Sequence, residues 1–232
     1  MKELKKGMND GIPIALGYVS VSFTFGLMAV SAGMSWWQAV LISLTNVTSA
    51  GQFAGLDIII AGGTLIEMAL SQLVINLRYA LMSLSLSQKV DRSITGLHRL
   101  WVGFCVTDEI FAVAMSQKKK VSRSYMFGLI VIPYLGWAGG TLAGAVLGSI
   151  LPTILRESLG IAIYGMFLAI IIPKAREEKN YLKVIVIAVA LSCCFHWLPL
   201  LRKMSSGFVI IICAVAASAI GAILYPIEEE EA

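Results

Sequence analysis

Long apolar runs, interrupted only by short charged clusters, most constrain what this chain can fold into. The run over 36–60 holds one ionisable residue, Asp57, and similar runs recur to the end of the sequence. About 20 apolar residues at 1.5 Å each cross a bilayer core. Inside hydrocarbon every backbone polar group must find its partner within the protein, which favours helices. Only 14% of the 232 residues are charged and 58% are hydrophobic, where a soluble domain carries about 25% charge. The expected fold is all-α: a polytopic integral membrane protein forming a single transmembrane domain over 1–232, with about seven to eight hydrophobic segments.

In order, the segments cover roughly 11–32, 36–60, 64–87, 100–116, 125–149, 150–172, 181–201 and 207–227. Pro13 suits the first turn of a helix starting near Gly11. The basic flank Lys2, Lys5 and Lys6 imitates a signal peptide, but the further apolar segments make it a first span with a cytoplasmic flank. Gly140-x-x-x-Gly144-x-x-x-Gly148 forms a small-residue ridge for close helix packing. The sixth segment is interrupted by Pro152 and by Arg156-Glu157. Glu228 to Glu231 form a solvated acidic run.

The second segment carries Asn46-Val47-Thr48-Ser49-Ala50-Gly51-Gln52-Phe53. A polar, glycine-bearing interruption at membrane depth is tolerated only where protein or water covers it. Two readings fit: a broken helix that builds a binding site, or a polar face packed against neighbouring helices.

Arg78 lies inside the third segment, away from both ends. Such a charge costs roughly 2.5–3.5 kcal/mol to insert and faces a partner or a cavity. It either pairs with an acid to lock two helices or serves substrate binding or coupling. On a continuous helix Asn76 and Arg78 point apart, so a site using both needs a local break. Asp108 and Glu109 are the available acids, in a short fourth segment. Neighbouring carboxylates on a helix diverge by about 100°, so one can pair with Arg78 while the other titrates. An acid desolvated in a membrane holds its proton more tightly, which suits a proton carrier. If the segment only dips into the membrane, both acids sit at a wet interface.

Other chemistries lack their signatures. Cys105, Cys193, Cys194 and Cys213 fall in apolar segments without metal-ligand spacing. His98 reads as a loop residue and His196 as a satisfied or interfacial one, and there is no HExxH, P-loop lysine or Gly-x-Ser-x-Gly elbow. The expectation is no enzyme, no metal and no cofactor. The net charge of +4 fits membrane orientation better than nucleic-acid binding. Asn46-Val47-Thr48 matches a glycosylation sequon but lies in an apolar segment.

Sliding the chain by 114 residues pairs Gly26 with Gly140, Ala29 with Ala143, Gly51 with Gly165 and Phe53 with Phe167. Two tandem repeats follow, about 8–117 and 122–229, with broken or re-entrant helices. The counterpart of the polar stretch, over 161–167, is less polar. If every segment crosses, the 88–99 loop lies opposite the basic loops at 117–124 and 173–183. If the second and fourth segments are re-entrant, it joins them on the cytoplasmic side.

With these residues in view, the chain resembles the AzlC family, the larger subunit of AzlC/AzlD-type branched-chain amino acid exporters. Four motifs in order carry the resemblance: Gly17-Tyr18-x-x-Val21-x-Phe23-x-Phe25-Gly26, Ser49-Ala50-Gly51-Gln52-Phe53, Asn76-Leu77-Arg78-Tyr79 and Thr107-Asp108-Glu109-Ile110-Phe111. Tyr79 stands where the family commonly has His. Asn46 and Thr48 stand where it is often more apolar. The resemblance implies secondary, proton-coupled export of leucine, isoleucine or valine from a multi-pass position in the cytoplasmic (inner) membrane. It also implies a small AzlD-like membrane subunit as partner, and a lipid bilayer but no nucleic acid. On that reading Asn46, Thr48, Ser49, Gly51, Gln52, Phe53, Asn76 and Arg78 bind substrate, and Asp108 or Glu109 couples to protons.

Overall fold

A computed structural model describes residues 1–148, 150, 152, 154, 168, 171–173, 175–198, 201 and 204–225. The helices among these residues are α1 (Lys2–Ser31), α2 (Trp36–Thr45), α3 (Ser49–Ile60), α4 (Leu65–Lys89), α5 (Leu97–Cys105), α6 (Asp108–Ser116), α7 (Arg123–Leu147), α8 (Lys179–Trp197) and α9 (Ser206–Leu224). No strand occurs among the described residues. Helices α1, α4, α7, α8 and α9 are long and apolar enough to cross a membrane. The second and fourth segments are each split in two, as α2–α3 and α5–α6. Most of the segment at 150–172, including Arg156-Glu157 and the stretch 161–167, lies outside the described residues, as does the acidic run.

Two sequence expectations are corrected. Helix α1 begins at Lys2, so Pro13 sits inside it rather than in its first turn. Lys2, Lys5 and Lys6 are good helix formers and extend it ahead of the apolar run. His98 lies in the first turn of α5, which opens after Gly96 at φ 49°.

The chain divides into two compact units interleaved in sequence: Met1–Phe53 with Asn76–Gly160, and Ala54–Ile75 with Ile161–Ala232. The first is built on a seam between α1 and α7. Lipid tails are as apolar as leucine, so packing density rather than water avoidance drives helices together in a membrane. Glycine lets two backbones touch. A Cβ on Gly7 would strike the Tyr125 carbonyl, and one on Gly26 the Thr141 carbonyl. From the other side, Gly136 abuts Ala15 and Gly144 abuts Phe23. Residue numbers rise together along both helices, so the pair is parallel. The anticipated ridge Gly140, Gly144 and Gly148 is the α7 half of this seam.

Parallel packing brings the two basic flanks to one end. Lys6 Nζ donates to Gln117 Oε1 at 2.6 Å and lies 5.4 Å from the Tyr125 ring centroid. The segment after α4 is clipped to the same end: Asp91 N–H donates to Val121 O at 3.0 Å and Val121 N–H to Lys89 O at 3.1 Å. Arg123 N–H donates to Ser93 Oγ at 3.0 Å. So α5 starts and α6 finishes at this basic end, while the Val106-Thr107 break between them reaches Tyr18, midway along α1. The α5–α6 pair is therefore a hairpin that returns to the end it started from, and the 88–99 loop lies beside the 117–123 loop and the basic start of α1. Leu86, Val90, Ile94, Val102, Ile110, Tyr125, Leu129 and Trp137 share the core that seats it.

Helix α2 comes from the opposite end. Gly33 at φ 92° turns the chain after α1, and Gln38 Oε1 accepts Ser35 N–H at 2.8 Å to cap α2. Ser43 Oγ meets Thr141 Oγ1 at 2.7 Å, and Tyr134 donates to Leu44 O at 2.8 Å. After the break, α3 turns back: Gln52 Nε2 donates to Ser43 Oγ at 2.9 Å, and Phe53 meets Phe25 edge-on at 5.5 Å.

In the second unit α8 and α9 pack antiparallel, with Gly221 against Val184 and Lys183 Nζ 4.5 Å above the Tyr225 ring. Glu67, only 2% exposed, accepts Gly207 N–H at 2.8 Å. A carboxylate there satisfies an orphan donor and suits the positive end of α9.

Candidate functional site

Both helix breaks of the first unit are made by the same local device. A threonine stands one residue before the new helix, and its hydroxyl accepts the N–H three residues on, satisfying a donor that has no intrahelical partner. Thr48 Oγ1 accepts Gly51 N–H at 3.4 Å, and Thr107 Oγ1 accepts Ile110 N–H at 3.3 Å. Each threonine is also held by a tyrosine from a long helix. Tyr79 of α4 donates to Thr48 Oγ1 at 3.3 Å. Tyr18 of α1 lies 2.5 Å from Thr107 Oγ1 and donates to Glu109 Oε2 at 2.7 Å.

Arg78 connects the two breaks. Its Nη1 lies 2.8 Å from Asp108 Oδ2, and its Nη2 donates to the Tyr79 hydroxyl at 3.2 Å. The guanidinium also rests over the Tyr79 ring, 5.0 Å from the centroid, a favourable cation–π placement. A continuous polar line thus runs from Thr48 through Tyr79 and Arg78 to Asp108. Helices α3 and α6 both start at this line, so the positive ends of their dipoles lie on it. Asp108 and Glu109 in the first turn of α6 offset that charge. The Arg78 and Asp108 side chains are 50% and 46% exposed, so about half of each stands clear of the protein. Tyr18 by contrast is buried.

The expected residues do not all meet. Arg78, Asp108 and Thr48 belong to the network directly, with Glu109 joined through Tyr18. Ser49 and Gly51 form the first turn of α3 and present its backbone. Asn46 caps α2, its N–H on Ile42 O at 2.8 Å. Gln52 is buried, with Nε2 on Ser43 and Oε1 lacking a hydrogen-bond partner among the described residues. Phe53 is spent on Phe25. Asn76 is not brought to Arg78, because α4 is unbroken from Leu65 to Lys89 and two residues rotate by about 200°. The sequence reading missed Tyr18, Tyr79 and Thr107 as network members and Ser43 and Thr141 as the brace behind Gln52. A tyrosine at mid-span is a signal in itself, since its hydroxyl needs a partner there.

Interrupted helices whose breaks converge on a polar network define the class: a helical membrane protein with half-helices that carry polar groups to membrane depth. Residues 13–151 match the family described as AzlC protein, and the chain belongs to the AzlC family. It is 30% identical over 198 residues to an uncharacterised membrane protein of Archaeoglobus fulgidus, covering 84% of this chain and 86% of that one. It is 29% identical to the inner membrane protein YgaZ of Escherichia coli, over 75% of this chain and 74% of the relative. The branched-chain amino acid transport protein AzlC of Bacillus subtilis is 21% identical over 73% of this chain and 67% of its own. No solved structure gives a significant match. Every residue of the polar network, from Tyr18 to Glu109, lies inside the matched stretch.

Proposed function

We propose that this chain is the large subunit of a secondary transporter that exports branched-chain amino acids across the cytoplasmic membrane, coupled to protons. On this reading it is a multi-pass transmembrane domain of two repeats, working with a small AzlD-like membrane subunit. The observation that carries the proposal is the Arg78–Asp108 pair, half exposed where two helix breaks meet. Arg78 attracts the substrate carboxylate, which displaces Asp108. The backbone and side chains of 46–52 hold the zwitterion. Asp108 or Glu109 takes up the proton that drives exchange. The named activity of the Bacillus subtilis relative supports the choice of substrate.

The test is leucine uptake into inverted vesicles at several pH values, comparing the native chain with Arg78→Ala and Asp108→Asn. Both variants lose pH-driven leucine uptake by at least about tenfold, the size of one lost charge-assisted contact. Unchanged leucine flux in both removes these assignments. Flux of another small metabolite through the native chain, with none of leucine, replaces the substrate.

A further inference from the structure

A second feature lies away from the polar network and takes no part in it. At the basic end of the first unit, a groove of about 710 Å³ runs between the start of α1, the start of α5 and the start of α7. Leu4, Leu97, Trp101 and Phe127 form its apolar walls, and Arg123, Ser124 and His98 complete its rim. No carboxylate lines it. Leu97 is 80% exposed and Phe127 53%, so the walls present broad apolar surface. The Arg123 guanidinium makes no ion pair among the described residues. The Trp101 indole N–H is buried, with no hydrogen-bond partner among the described residues. Beside the groove, Lys118, Lys119 and Lys120 are exposed.

This combination selects its occupant. A soluble anion calls for several convergent donors, whereas here one cation stands at the edge of a long apolar wall. A ligand with a hydrocarbon chain and a phosphate satisfies both. Trp101 lines the groove, and tryptophan favours the headgroup boundary of a membrane. Basic pockets between helices on the positive side of a membrane protein are suited to anionic headgroups.

We propose that this groove binds one anionic phospholipid of the leaflet at the basic end. Its acyl chain lies against Leu97, Trp101 and Phe127, and its phosphate sits against Arg123 and His98. Because α5 is one arm of the α5–α6 hairpin, the bound lipid braces the arm that leads to Thr107.

The test uses the purified full chain in phosphatidylcholine nanodiscs doped with a few brominated lipids, which quench nearby tryptophan. The Trp101 contribution is the difference between the native chain and Trp101→Phe. Brominated phosphatidylglycerol quenches it at a dose roughly fivefold lower than brominated phosphatidylcholine does, the preference expected of one cation beside an anionic headgroup. Arg123→Ala removes the preference, Arg123→Lys keeps most of it, and Arg92→Ala, at the same end but outside the groove, leaves it intact. Equal quenching by both lipids overturns the proposal in favour of ordinary annular contact. Loss of the preference in Arg92→Ala overturns it in favour of diffuse surface charge, and relief of quenching by inorganic phosphate overturns it in favour of a soluble anion. Circular dichroism of each variant establishes that the fold is retained.

Discussion

Tyr18 and Tyr79 do the same work at two places: each ties a threonine at a helix break to a helix that does not break. Losing the hydroxyl of Tyr18 leaves Thr107 and Glu109 short of one partner, so Tyr18→Phe lowers stability by about 1 kcal/mol. Thr107→Ala removes the cap of α6 and costs about 1 kcal/mol as well. The two effects are not additive, because both variants delete the same contact. A double-mutant cycle by thermal unfolding in detergent gives a coupling of about 0.5–1 kcal/mol. Full additivity would mean that the tyrosine and the threonine act separately. At this scale the sequence was partly legible. Arg78, Asp108 and Glu109 stood out because charge is rare in apolar segments. The divergence of the two acids followed from helix geometry, and they do go to different partners. The tyrosines were passed over although a mid-span phenol needs a partner, and which partner each finds has no local signature in the sequence.

Helix breaks and helix seams belong to the element scale. The polar stretch at 46–53, five polar or glycine residues in eight, marked the place by composition but fitted a packed polar face as well as a break. The second break was missed: Asp108 and Glu109 were read only as acids, and the cap that Thr107 forms is seen in the structure alone. The α1–α7 seam was half legible. The glycine ridge of α7 could be read at four-residue spacing, but the choice of α1 as its partner could not. The seam makes a paired prediction. Gly144→Ala drives a methyl group into the Phe23 backbone, which cannot move aside, and costs about 1–3 kcal/mol. Gly17, on α1, has nothing among the described residues within 4 Å of where its Cβ would stand, so Gly17→Ala stabilises by about 0.5–1 kcal/mol. Unfolding temperatures that move in opposite directions for the two variants check this.

For the whole molecule, the decisive feature is which ends lie together. Counting segments leaves the matter open, because α7 runs parallel to α1 whether the second and fourth segments both cross or both return. The backbone clip between 89–93 and 121–123 decides it for α5–α6. A pairing between Ser93 and Arg123, 30 residues apart, has no local signature in the sequence. Arg92→Cys and Lys119→Cys in a cysteine-free background therefore react with a membrane-impermeant maleimide from one and the same face, in vesicles of either orientation. Labelling from opposite faces would make α5–α6 a crossing.

A seam of backbone on backbone has no rotamers with which to adjust. Side-chain interfaces can slip by trading one packing for another, but carbonyl against glycine offers a single fit along the length of α1 and α7. These two helices move as one beam, and any opening and closing of the first unit falls to the hinged half-helices that lean on it.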